Sequence, residues 1–249
     1  MATRRDRQAS AEHPHSGFRR GPEAANTEAI EDYAKAIHAL ARRGGGAVGT
    51  SALAERLGVS PGTATAMLKR MAELGLVEHE PYHGATLTQA GEKVALEVIR
   101  HHRLIEAYLA EALGMPWDRV HDEAEVLEHY ISEELEERIA AALGDPSHDP
   151  HGDPIPDREL AMAEDEGVAL TDLEPGDEAV FARVSDSDPA MLRYLAEREI
   201  RPGTSLVLKA REPFEGPVTV LAAGREHLLG GELVRRMTVR ASARRTRGT

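Results

Sequence analysis

The chain has 249 residues, 41% of them hydrophobic and 29% charged, with a formal net charge of −13. That suits a soluble, mostly folded protein of one large or two to three small domains. No apolar run approaches the roughly 18 residues of a membrane span, and no apolar segment follows Arg4, Arg5 and Arg7 as a secretory signal requires. Cysteine is absent, which excludes disulfides, thiolate catalysis and cysteine zinc sites and fits a cytoplasmic protein.

Residues 1–25 are rich in Arg, Gly, Pro, Ser and His and read as a disordered tail. Asn26 or Thr27 is the expected cap of a first helix, with Glu28 and Glu31 in its first turn. Ile30, Tyr33, Ile37 and Leu40 form its apolar stripe, which ends at Gly44-Gly45-Gly46. Asp32 lies off the stripe, where an acid is ordinarily a partner of the helix dipole.

From Thr50 to Met71 a short helix (Leu53, Ala54, Leu57) breaks at Gly58. A second helix starts with Ser60 as cap and Pro61 in its first turn. Ala64, Met67, Leu68 and Met71 face a core. The outer side offers Ser60, Gly62, Thr63, Thr65, Ala66, Lys69 and Arg70, which are small or basic. This is the layout of a helix-turn-helix, whose second helix enters the major groove of DNA. Small residues allow close approach to base edges, and Lys69 and Arg70 suit phosphates. The plainer reading is an ordinary helical hairpin. Two β-prone runs around His83-Gly84 then make a wing, with Tyr82 and His83 as candidate backbone contacts, and Thr88 caps the next helix.

Residues 89–113 form a long helix with Val94, Val98, Ile105 and Leu109 along a buried line. His102 falls in that line and Glu106 follows one turn later. Gly114-Met115-Pro116 turns the chain into His121-Asp122-Glu123-Ala124-Glu125-Val126-Leu127-Glu128-His129. Read as a helix, positions 121, 125, 128 and 129 share one face bearing His, Glu, Glu, His. That mixture of nitrogen and oxygen donors binds hard or borderline divalent cations. The opposite side, with Val126, Leu127, Tyr130 and Ile131, wants a core. From Asp122 to Glu137 there are eight Asp or Glu and no Lys or Arg, a density that repels itself unless cations neutralise it. A solvated acidic helix with incidental histidines is the alternative for this stretch alone. Pairing these helices across two copies would bury their apolar faces.

Four prolines between Gly144 and Pro156 bar helix and sheet. His148, Asp149, His151 and Asp153 there resemble a metal cluster, but Pro/Gly/Asp loops are usually turns, and they are assigned to no site. Residues 157–170 read as a mobile tether. Short strands follow at Glu178–Val184, Ser205–Ala210, Val218–Ala222 and Leu233–Arg240, with one helix at Pro189–Glu197, which suggests a small SH3-like barrel. The expected boundaries are a tail at 1–25, a winged-helix domain at 26–90 and a helical dimerisation and metal-binding domain at 91–156. A linker at 157–170, the barrel at 171–241 and a basic tail at 242–249 complete them. No Walker loop, dinucleotide fingerprint or Gly-x-Ser-x-Gly elbow occurs.

In this order the parts resemble the diphtheria toxin repressor family of metal-dependent transcriptional regulators, from about Thr27 to Val239. The strings that carry the resemblance are His101-His102-Arg103-Leu104-Ile105-Glu106, Val120 to His129, and Asp149-Pro150-His151-Gly152-Asp153-Pro154-Ile155-Pro156. The fold implied is mainly α with small β. It comprises an N-terminal winged helix-turn-helix, a helical dimerisation and metal-binding domain, and a C-terminal SH3-like barrel similar to an iron-transport accessory domain. The function implied is a homodimeric repressor that binds a palindromic double-stranded DNA operator of metal-homeostasis genes, with no catalysis, membrane or small-molecule substrate.

By the same resemblance the primary metal ligands fall on Asp32, Glu125, Glu128 and His129. The ancillary ligands fall on His102, Glu106 and His121, with Asp188 and Met191 as the aligned barrel positions. Met191 is a poor ligand for a hard cation. Iron-responsive members carry methionine and cysteine where this chain has Asp32 and Glu125. Two carboxylates in place of sulfur suit Mn(II), so the chain looks like the manganese-responsive branch, with Fe(II) as the alternative and Zn(II) or Co(II) able to bind in vitro. Short manganese regulators have a second glutamate on the first helix where this chain has Lys35. That favours two separated sites over a close metal pair. Two rivals are a metal-dependent hydrolase with Glu123 as its spare acid, and a metal-independent winged-helix regulator with an organic effector.

Overall fold

The structure, a computed structural model, describes residues 22–80, 83–163, 167–214 and 216–241, with backbone alone at 22–25 and 241. Residues 1–21 of the tail expected at 1–25, the expected tail at 242–249 and the wing residue Tyr82 lie outside the described residues, while 22–25 are helical. Helix α1 runs Pro22–Gly44, so it starts before the expected cap at Asn26 or Thr27. Proline is accommodated in a first turn, and Glu23, Ala24 and Ala25 are good helix formers. Helices α2 (Thr50–Leu57) and α3 (Pro61–Glu73) follow. Between them Gly58 takes φ +64°, a left-handed turn that costs glycine little. The Ser60 hydroxyl accepts the Thr63 N–H at 3.0 Å, capping α3 as its sequence requires. Strands β1 (Val77–Glu80) and β2 (Gly84–Leu87) pair antiparallel as the wing. Ile37, Leu53, Leu68 and Met71 are fully buried in the core that α1 to α3 and the wing share.

Helix α4 (Gln89–Glu111), capped by Thr88, is the spine of the molecule. Its first turns reach the winged-helix core through Ala95. Further along, Ile105 and Leu109 pack on Val120 and Ala124 of α5 (Val120–Leu127), and Leu104 packs on Ile139 and Ala140 of α6 (Glu133–Ala142). Helix α5 stops at Leu127, sooner than the sequence pattern suggests, and a turn carries Glu128 to Tyr130. Of the apolar side expected to enter a core, only Ile131 does so within one chain, packing against the Ile105–Leu109–Val120–Ala124 cluster. Val126, Leu127 and Tyr130 are exposed, as is Leu135 of α6.

The C-terminal unit is a six-stranded antiparallel sheet in the order β3-β8-β4-β5-β6-β7. Its elements are β3 (Val168–Ala169), β4 (Glu178–Val184), α7 (Pro189–Ala196), β5 (Ser205–Arg211), β6 (Val218–Ala222), β7 (Arg225–Leu229), α8 (Gly231–Arg235) and β8 (Met237–Ala241). The end of the expected tether is therefore ordered, because β3 pairs with β8 and Leu170 is fully buried. The run read as a strand at Leu233–Arg240 divides instead. Leu233 and Val234 are buried from one helical turn, and only from Met237 does the chain join the sheet. Trp117, from the loop between α4 and α5, is 1% exposed within the core of this unit and donates its indole N–H to Leu192 O at 3.2 Å. That side chain plugs the helical region into the barrel.

Candidate metal centre

Helices α1, α4 and α5 meet where their polar faces converge, and two clusters form there. In the first, His129 Nε2 lies 3.2 Å from Asp32 Oδ1 and 3.6 Å from Glu128 Oε1. Its Nδ1 is 2.6 Å from Glu31 Oε2. An ionised carboxylate only accepts, so Nδ1 donates to Glu31 and Nε2 is turned toward Asp32 and Glu128. Burial disfavours the imidazolium, but the hydrogen bonds to Asp32 and Glu31 and the charge of Glu128 outweigh it and raise His129 to about 10. A histidine so raised keeps its proton at neutral pH, with Nε2 facing Asp32 and Glu128.

Glu125 does not join Asp32 and His129. The Lys35 ammonium stands 2.8 Å from Glu125 Oε1, 2.8 Å from Glu128 Oε2 and 3.2 Å from His102 Nδ1. Burial alone would lower the lysine, but the two carboxylates prevail and raise it. Lys35 thus fills the space between the carboxylates with a tethered positive charge.

The second cluster lies on the other side of His102. Its Nδ1 hydrogen-bonds Glu128, and its Nε2 is 3.0 Å from Glu106 Oε1 and 3.2 Å from His121 Nδ1. His121 Nδ1 is also 3.2 Å from Glu106 Oε1 and 3.2 Å from Asp186 Oδ2. Hydrogen bonds to Asp186 and then Glu106 raise His121 to about 10. The barrel residue that reaches the cluster is Asp186, not the expected Asp188. Asp188 instead accepts the Ala190 N–H at 2.9 Å and caps α7, as an aspartate before Pro189 is placed to do. Met191 packs against the barrel core. His102, Glu106, His121 and Asp186 form one group of potential ligands, Asp32, Glu128 and His129 form another, and His102, Glu125 and Glu128 form a third that Lys35 now occupies. Their donors are carboxylate oxygens and imidazole nitrogens, a set that fits a hard or borderline divalent cation.

Ser60, which caps α3, and Gly62, Thr63, Ala66, Lys69 and Arg70 on it are exposed, and His83 is exposed at the wing. Thr65 is half-buried and its hydroxyl donates to Pro61 O at 2.8 Å, so that group is already committed within the helix.

Comparison with known proteins agrees with this geometry along the chain. Residues 26–85 match the N-terminal DNA-binding domain of the iron-dependent repressors, and residues 88–157 match their metal-binding and dimerisation domain. Residues 168–241 match the FeoA domain. The iron-dependent repressor IdeR of Mycobacterium bovis is 32% identical over 188 residues, covering 71% of this chain and 81% of that protein. The chain belongs to the iron-dependent repressor family. It is a metal-dependent, DNA-binding transcriptional repressor. The transcriptional regulator MntR of Escherichia coli is 42% identical over 118 residues, 47% of this chain and 75% of that one. A solved manganese-dependent transcriptional repressor in complex with manganese is 41% identical with a TM-score of 0.78, covering 86% of this chain and all of that one.

Two participants in the repressor's clusters escape sequence reasoning. Glu31 reads as a dipole partner until the fold sets it against His129. Asp186 is one of two nearby aspartates, and only the capping demand of α7 tells them apart. Among the described residues no helix is long and apolar enough to cross a membrane.

Proposed function

We propose that this repressor senses Mn(II) and binds a palindromic operator of metal-uptake genes as a homodimer. The observation that carries the choice of metal is the donor set. Asp32, Glu128 and His129 supply two carboxylates and one imidazole, and His102, Glu106, His121 and Asp186 supply two of each. Neither group includes a cysteine thiolate, which would favour more thiophilic metals. Glu125 becomes a primary ligand only when it releases Lys35.

A bound divalent cation would supply the positive charge that draws these side chains together in place of the imidazolium protons. Asp32 belongs to α1, which packs on the winged helix, while Glu128 and His129 follow α5 beside the exposed apolar face. Drawing the three side chains together fixes α1 against α5. Val126, Leu127, Tyr130 and Leu135 give a second copy its docking surface. The recognition helices of the two copies then hold one spacing, which a palindrome can match. The cation shifts that equilibrium only by its differential affinity for the DNA-competent state. Glu123, the spare acid a hydrolase would need, is exposed on α5 and belongs to none of the ligand groups among the described residues.

The test is selection of bound fragments from random duplex DNA, with Mn(II), with Fe(II) under anaerobic conditions, and with chelator. Enrichment of a palindrome with Mn(II) alone is the expected result. Equal enrichment with chelator would sink the metal-gated reading, and enrichment with Fe(II) alone would move the assignment to iron.

A further inference from the structure

The two adjacent histidines of α4 face different partners. His102 stands among the ligand groups, while His101 meets the turn that ends α5. Glu128 N still donates to Ala124 O at 2.9 Å, as in a helix. Tyr130 N then donates to Leu127 O at 2.9 Å in a tighter turn, and Ser132 caps α6. In a continued α-helix the Glu128 carbonyl would accept the N–H of residue 132. Here it accepts from His101 Nδ1 at 3.1 Å. Glu128 is 1% exposed, so a carbonyl left without a donor at this place would be costly.

The far side of the same ring settles its charge. His101 Nε2 lies 2.9 Å from Glu136 Oε2 of α6. A carbonyl and an ionised carboxylate only accept. A bare lone pair on Nε2 would repel the carboxylate, so both ring nitrogens carry hydrogen and the ring is an imidazolium. A cation is favoured at a helix C-terminus, where carbonyls converge. Arg100 Nε pairs with the other oxygen of Glu136, and Arg100 Nη1 donates to Pro156 O of the connector at 2.6 Å. The side chains of Arg100, His101 and Glu136 are all largely buried, so salt screens these pairs little.

We propose that His101 is a positioning residue: its imidazolium, braced by Glu136, takes the Glu128 carbonyl out of α5 and fixes the turn that presents Glu128 and His129 to the primary site. The ring itself does not ligate. Ending α5 at Leu127 lets His129 meet Asp32 and Glu31 of α1. The same clamp ties the turn to α6, whose Leu135 lies on the exposed apolar face. Metal ligation and the proposed dimer surface therefore share one support. The inference rests on the metal-dependent reading above for what the turn presents, and not for the clamp itself.

The experiment compares full-length wild type, His101→Phe, His101→Lys and Glu136→Gln by two measurements. Amide hydrogen exchange in the metal-free proteins reads the turn, through the Glu128 and Tyr130 N–H groups that hold it. Equilibrium dialysis against manganese chloride reads Mn(II) affinity. Phenylalanine fills the space of the ring and donates nothing, whereas lysine keeps a cationic donor of another shape. His101→Phe should speed exchange at the turn and weaken Mn(II) binding about 10- to 100-fold. His101→Lys should recover most of both, and Glu136→Gln should fall between. A phenylalanine variant equal to wild type in both measurements, or a lysine variant as impaired as phenylalanine, would make the ring a packing residue and overturn the proposal. Where His101→Phe does not fold, Glu136→Gln decides: unchanged exchange and unchanged affinity would overturn it equally. Faster exchange in His101→Phe with no Mn(II) bound to wild type would sink the metal-dependent reading and keep the clamp.

Discussion

His129 is held protonated by its acidic neighbours, and Glu31 decides which of its nitrogens faces Asp32 and Glu128. With Nδ1 donated to Glu31, Nε2 is the nitrogen left to a cation at the proposed site. Glu31→Gln weakens that orientation, and such supporting residues typically cost about 10- to 100-fold in metal affinity. The expected loss is of that order for Mn(II) in equilibrium dialysis, with the fold unchanged by circular dichroism; an unaltered affinity would remove Glu31 from the site. Asp32→Ala removes a ligand outright, and Mn(II) should then no longer raise operator affinity in an electrophoretic shift assay. Lys35 makes the opposite kind of prediction. Its ammonium bridges Glu125 and Glu128, so Lys35→Glu replaces a tethered cation with a carboxylate. One additional Mn(II) per subunit is expected in that variant, and an unchanged count would show that Lys35 does not limit the primary site.

At the scale of elements, the parts organised by local rules were legible in the sequence and the parts organised by contact were not. Ser60 with Pro61, Thr88 and the glycine turn at Gly58 announce themselves, because caps and turns act within three or four residues. The shared face of His121 and Glu125 was legible too, since its spacing is helical through Glu125. It was not legible that α5 ends at Leu127, that Val126 and Leu127 face outward, or that β3 belongs to the sheet. Those outcomes depend on partners far along the chain. The connector residues Asp149 and His151 were visible as ligand types, but their burial was not. On α3 the exposed Lys69 suits a phosphate, and Lys69→Ala should weaken binding uniformly across operator variants. The logarithmic salt slope should fall by about 1; a change confined to one base position would mark Lys69 as a base reader instead.

For the whole molecule, stability in the absence of metal follows the protonation of His121 and His129. His121 and His129 are raised to about 10 from an ordinary value near 6.5. A raised histidine binds its proton more tightly in the folded state, so its stabilisation is complete below about pH 6.5 and is lost as pH climbs through about 10. The metal-free protein should therefore melt at progressively lower temperature between pH 7 and 10. Metal binding must displace the same protons, so Mn(II) affinity should rise over that range. The loaded protein should lose much less stability across it than the metal-free one. Calorimetric titrations in buffers of differing ionisation enthalpy should register proton release on Mn(II) binding near pH 7.5. Both trends come from the same imidazoles, which makes them a joint test. If the metal-free melting temperature stayed flat between pH 7 and 10 and no proton were released, the charged state assigned to the two histidines would be wrong. The clusters would then bind metal without competition from their own protons.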